Sequence, residues 1–136
     1  MNASVKWKND LSFEGNAESG FSIPLGTDVS VGGANDGFRP MELMLIGMAG
    51  CTAMDVISIL KKKRQDVKVF EVKVNAERNE EHPKVFSKII INYFVAGNAI
   101  NPEAVDRAVE LSETKYCSGI AMLSKTAQII HNIVIE

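Results

Sequence analysis

The chain is sparing with the residues that most often declare a function. Its 136 residues include two cysteines, two histidines and one tryptophan, and neither charge is in excess, with 15 Lys and Arg against 17 Asp and Glu. A net charge of −2 and a pI near 5.7 leave nothing to grip a phosphate backbone, so a nucleic-acid partner is excluded. The one cationic cluster, Lys61-Lys62-Lys63-Arg64, follows an apolar run and suits the negative end of a helix. The first residues, Met-Asn-Ala-Ser-Val-Lys-Trp-Lys, lack the basic-then-apolar build of a signal peptide. Gly32-Gly33 is not followed by Gly-Lys-Ser or Gly-Lys-Thr, which excludes a phosphate-binding loop. The apolar run Leu43–Leu60 is interrupted by Asp55, and its longest charge-free piece, Leu43–Met54, is too short to cross a bilayer. No membrane partner is therefore expected. The two cysteines with His82 and His131 formally suffice for zinc, but no spacing resembles a ligand hairpin, so neither a metal nor a cofactor is expected. Without an export signal the expected compartment is the reducing cytoplasm, where a disulfide is usually transient and catalytic.

What is present is an ordinary globular composition, 46% apolar and 24% charged, enough for one domain spanning residues 1–136. Val5 and Trp7, then Leu11 and Phe13, alternate as short half-buried strands joined through Asn9-Asp10. Phe21–Leu25 reads as another strand, with Pro24 marking an edge, and residues 26–37 as a polar loop. Pro40 suits the first turn of a helix that runs to about Arg64. That helix is apolar on nearly every face, so protein is expected around most of it, which in so small a chain calls for a second subunit. Gly47 and Gly50 would admit a close backbone neighbour. Val67–Arg78 and Val85–Val95 alternate at period two and form a long hairpin. Asn101-Pro102-Glu103 opens a helix through about Tyr116, Ser118–Ala127 forms a second short one, and Gln128–Ile135 closes the chain as a strand. The order predicts an α+β fold with a mainly antiparallel sheet.

The chemistry rests on Cys51, inside the long helix, and Cys117, 66 residues later at the head of the short one. A helix N-terminus favours the reactive thiolate of Cys117, whereas apolar surroundings disfavour that of Cys51. Asp55 lies four residues after Cys51, on the same helical face. Glu42 reads as a first-turn acid, able to approach Cys51 only by side-chain reach or from another subunit, and Arg39 as a loop arginine within reach of Glu42. His131 has no orienting partner visible in the sequence. From the residues alone the two thiols read equally as a redox pair or as two small buried hydrophobes.

The stretch Arg39-Pro-Met-Glu-Leu-Met-Leu-Ile-Gly-Met-Ala-Gly-Cys51, with Lys115-Tyr-Cys117-Ser downstream, resembles the OsmC/Ohr superfamily of osmotically inducible and organic hydroperoxide resistance proteins. The resemblance covers about residues 5 to 135, and the Pro-Met-Glu-Leu start is similar to the YhfA-like branch. It implies an intertwined homodimer in which antiparallel sheets wrap long central helices, with the sites at the subunit interface. It implies further that Cys51 attacks an organic hydroperoxide and becomes a sulfenic acid, that Cys117 resolves it as a disulfide, and that a dithiol reductant such as a lipoyl group resets the pair. Two departures stand out. The peroxidase branches place a glutamate directly after the proline, where this chain has Met41; Glu42 comes one place later, rotated by about 100° on a helix. Those branches also carry an arginine in the N-terminal strand region, whereas here no arginine precedes Arg39 and the cations are Lys6 and Lys8.

Three functions follow as expectations: a dithiol peroxidase acting through Cys51 and Cys117, a slow thiol–disulfide redox sensor, and a non-enzymatic dimer that binds a small apolar ligand. Four methionines between Met41 and Met54 suit the last.

Overall fold

The computed structural model describes residues 1–136, which fall into two compact units, Met1–Leu45 and Ile46–Glu136. The first carries an antiparallel sheet of β1 (Ala3–Asn9), β2 (Ser12–Ala17) and β3 (Ser22–Leu25), in that order. Asp10 adopts a positive φ of 41° in the β1–β2 turn, a conformation aspartate tolerates better than most residues. All seven residues of β1 are exposed, so the half-buried strand expected around Val5 and Trp7 is corrected: as an edge strand it pairs with β2 alone. The loop after β3 contains one short helical turn, Val29–Val31, capped by Asp28, whose side chain accepts from the Ser30 N–H at 2.8 Å.

Helix α1 (Pro40–Lys62) begins where Pro40 needs no donor and where Glu42 Oε1 accepts the Arg39 N–H at 2.8 Å. It ends as Arg64 turns left-handed at φ 58° and the Gln65 N–H reaches back to Leu60 O at 3.0 Å. By length and composition alone it is apolar enough to cross a membrane. Its buried residues are Met48, Thr52, Val56 and Leu60, one per turn along a single stripe. Ile46 and Met54 are exposed, and nothing lies within 4 Å of a Cβ built on Gly47 or Gly50. The expectation that protein surrounds the helix is therefore not met within one chain.

In the second unit, β4 (Asp66–Arg78) pairs antiparallel with β5 (Phe86–Asn98), which pairs in parallel with β6 (Gln128–Ile135). Along β5 the residues Ile89, Ile91, Tyr93 and Val95 are buried at period two. Helix α2 (Pro102–Leu111) is capped by Asn101, which accepts from the Glu103 N–H at 3.0 Å, and buries Ala104, Val105, Ala108 and Val109. These three stripes make the core of the unit. The expected helix to Tyr116 stops being α-helical at Leu111: Ser112–Tyr116 is a π-helical turn, closed by the Cys117 N–H to Ser112 O at 2.8 Å. Helix α3 follows as Ser118–Leu123, shorter than the expected Ser118–Ala127.

Candidate functional site

Cys51 sits on α1, one residue before the buried Thr52. Cys117 sits between the π-turn and α3 and caps α3 with its own sulfur, which accepts the Ile120 N–H at 3.3 Å. The Cys117 thiol donates in turn to the Met48 carbonyl at 4.0 Å. Gly119 lets the two helices come this close, because a Cβ there would stand 2.9 Å from the Met48 Cα. The result is that both sulfurs and a carboxylate oxygen of Asp55 lie within 4.8 Å of one another. Both cysteines are free thiols, Cys117 buried and Cys51 partly open.

Burial pushes the Cys117 thiol up to about 11, and the neighbouring Cys51 sulfur adds to the effect, while the Ile120 N–H opposes it. The expectation that the helix N-terminus would favour this thiolate is thus corrected: one turn of aligned N–H groups does not offset desolvation. The groups that hydrogen-bond the Cys117 sulfur are the Met48 carbonyl, the Ile120 and Gly119 N–H groups and the Cys51 thiol, and none is a cation.

Behind the sulfurs runs a chain of hydroxyls that the sequence did not disclose. Ser112 Oγ donates to Asp55 Oδ2 at 3.0 Å, Thr52 Oγ1 and Ser112 Oγ are 2.8 Å apart, and Thr52 Oγ1 and Tyr93 Oη are 2.8 Å apart. Thr52, Ser112 and Tyr93 are completely buried. Tyr93 also reaches Glu113 Oε1 at 3.5 Å, and Glu113 Oε2 holds His131 Nδ1 at 2.9 Å. His131 therefore does have an orienting partner, but it stands at the far end of this chain and belongs to no cluster with the sulfurs. Each hydroxyl has one proton. With Ser112 committed to Asp55, Thr52 donates to Ser112, and the one Tyr93 proton goes to Thr52 at 2.8 Å in preference to the more distant Glu113, so the row points at the Asp55 carboxylate. Burial raises the Tyr93 phenol above its usual range, which keeps it a neutral donor. The signal available in the sequence was Asp55 itself, a carboxylate in an apolar helix that requires partners.

Arg39 and Glu42 have structural tasks in the first unit. The Arg39 guanidinium bonds Gly37 O at 3.0 Å and Asn35 Oδ1 at 2.6 Å, and Glu42 receives the Arg39 backbone N–H and not its side chain. His82 lies in the β4–β5 connection, so the Cys–His set considered for zinc does not assemble.

An α+β fold that brings a cysteine of its long helix against a second one heading a short helix defines a protein of the OsmC/Ohr class. The family described as OsmC-like protein matches residues 33–132, and the chain belongs to that family. Protein YhfA of Escherichia coli K12 is 44% identical over 135 residues, covering 97% of this chain and 96% of its own length. A hypothetical protein from Aquifex aeolicus VF5 superposes with a TM-score of 0.83 at 32% identity, covering 99% of this chain and 96% of that one. An organic hydroperoxide resistance protein from Elizabethkingia anophelis has a TM-score of 0.73 at 12% identity, covering 98% and 94%, a likeness of fold alone.

Proposed function

We propose that this protein is a cytoplasmic thiol peroxidase for organic hydroperoxides, with Cys51 as the attacking thiol and Cys117 as the resolving one. The observation that carries the reading is the convergence of the two sulfurs within 4.8 Å, with Cys51 the more open of the pair. The Cys51 thiolate takes the terminal oxygen of the peroxide, releasing an alcohol and leaving a sulfenic acid. Cys117 then attacks that sulfur, a disulfide forms, and water departs with the sulfenic oxygen. An external dithiol restores both thiols and leaves as a disulfide itself. The apolar residues around Cys51 on α1 favour greasy peroxides over hydrogen peroxide. A second copy of the chain covers the exposed Ile46–Met54 face of α1, where Gly47 and Gly50 leave room for a backbone; sedimentation at the mass of a single 14.9 kDa chain would refute that part.

The test is mass spectrometry of reduced protein given one equivalent of cumene hydroperoxide, beside hydrogen peroxide. The expected result is rapid loss of the mass of two hydrogen atoms with a Cys51–Cys117 crosslink, faster with the organic peroxide, and none in Cys51→Ser. No reaction over minutes would overturn the reading. The burial of Cys117 favours one alternative, a slow thiol–disulfide sensor, which would give the same crosslink without sustained turnover in the presence of a dithiol.

A further inference from the structure

We infer that the reduced thiol pair and Asp55 form a binding site for a borderline-soft divalent cation of the zinc type. Two sulfurs and one carboxylate oxygen converge within 4.8 Å, and none of the three residues is freely exposed. Cys51 and Asp55 are separated by one helical turn, so a single rigid element presents two of the donors. In a tetrahedral site with metal–sulfur bonds near 2.3 Å the sulfurs stand about 3.8 Å apart, a closure of no more than about 1 Å from the present limit.

The independent support is the shell behind the carboxylate. Ligating carboxylates are held by further hydrogen bonds that fix their orientation. Asp55 receives Ser112 Oγ at 3.0 Å, and Ser112 is fixed by Thr52 and Thr52 by Tyr93, each at 2.8 Å. A solvated surface acid needs no such backing. Three protein donors leave a fourth position for water, and two thiolates select zinc-type ions over magnesium or calcium. The donors carry −3 against the ion's +2. Lys62 and Lys63 line an open cleft of about 420 Å³ together with Asp55.

Binding displaces both thiol protons, so one divalent ion taken up releases two protons. The ion then occupies the sulfurs that peroxide would attack. This regulatory consequence rests on the peroxidase reading: a hydroperoxide and two protons convert the metal dithiolate to disulfide, free cation, alcohol and water. The site itself does not depend on that reading.

The experiment titrates fully reduced protein with Cd²⁺, read by its thiolate charge-transfer absorption, with Zn²⁺ as competitor and proton release followed in weak buffer, all without peroxide. One ion per chain and about two protons per ion are expected. Cys51→Ser and Cys117→Ser should lose the absorption, Asp55→Asn should weaken binding at least tenfold, and Ser112→Ala on the order of tenfold through the carboxylate's orientation. Disulfide-oxidised protein should bind nothing. Circular dichroism confirms that each variant folds, and Ser112→Ala decides the matter if Asp55→Asn does not. No uptake by wild type, affinity unchanged in both variants, or uptake retained by the disulfide form would each overturn the proposal. Metal uptake without peroxide turnover would sink the peroxidase reading alone, and the reverse would sink the metal site alone.

Discussion

Replacing Thr52 by valine removes one oxygen from the centre of the buried hydroxyl row and leaves the volume nearly unchanged. Thr52 is completely buried and sits 2.8 Å from both Tyr93 Oη and Ser112 Oγ. Ser112 keeps its bond to Asp55, but the Tyr93 hydroxyl is left with only Glu113 at 3.5 Å. Two net bonds of about 1 kcal/mol each are lost and the buried Tyr93 hydroxyl keeps only its long bond to Glu113, so the expected destabilisation is roughly 2–3 kcal/mol. Tyr93→Phe strands nothing, because Thr52 still donates to Ser112, and should cost about 1 kcal/mol. The double variant loses the shared Thr52–Tyr93 bond once and not twice, so its cost should fall short of the sum by about 1 kcal/mol. Urea unfolding at one fixed protein concentration measures all three. Additive costs, or Tyr93→Phe costing more than Thr52→Val, would refute the proton order assigned to the row.

Two further outcomes are expected. The Cys117 thiol is raised from an ordinary value near 9 to about 11, so its contribution to stability is intact below pH 9, where both folded and unfolded thiols are protonated. Between pH 9 and 11 the unfolded chain ionises first and stability falls; calorimetry should show that decline in the reduced, metal-free protein and its reduction in Cys117→Ser. Gly119→Ala, which in an ordinary helix would gain up to about 1 kcal/mol, should instead cost about 1–3 kcal/mol, because its Cβ meets the α1 backbone at Met48. The same change should slow closure of the Cys51–Cys117 disulfide several-fold in quenched-flow alkylation, and an unchanged rate would show that this contact does not set the sulfur spacing.

Much of the architecture was legible because it is written in local pattern. Pro40 and Asn101-Pro102 open helices where a missing or orphaned donor is harmless, and the period-two runs of β4 and β5 have no competing helical reading. Cys51, Asp55 and the head position of Cys117 could be placed for the same reason. The remainder depends on contacts between residues far apart in sequence. Thr52 is separated from Tyr93 by 41 positions and from Ser112 by 60, and each taken singly is an unremarkable polar residue in a helix or strand. Gly119 looks like a poor helix residue until Met48 is seen against it. The sequence also suggested a surrounded helix and a thiolate-favouring N-terminus. One chain covers only a stripe of α1, and burial outweighs the few N–H groups of α3.

The π-helical turn Ser112–Tyr116 has a consequence for how this chain can change over time. It holds one residue more than an α-helical turn, and that residue decides which way Cys117 faces. Substitutions at exposed positions such as Thr114 or Lys115 leave the count intact and should be tolerated. Deleting either would return the segment to α-helical phase and swing everything after it by about 100°. Cys117 would then leave Cys51. The site is thus guarded less by residue identity in this turn than by its length, and related chains that keep the paired thiols should vary here in letter but not in number.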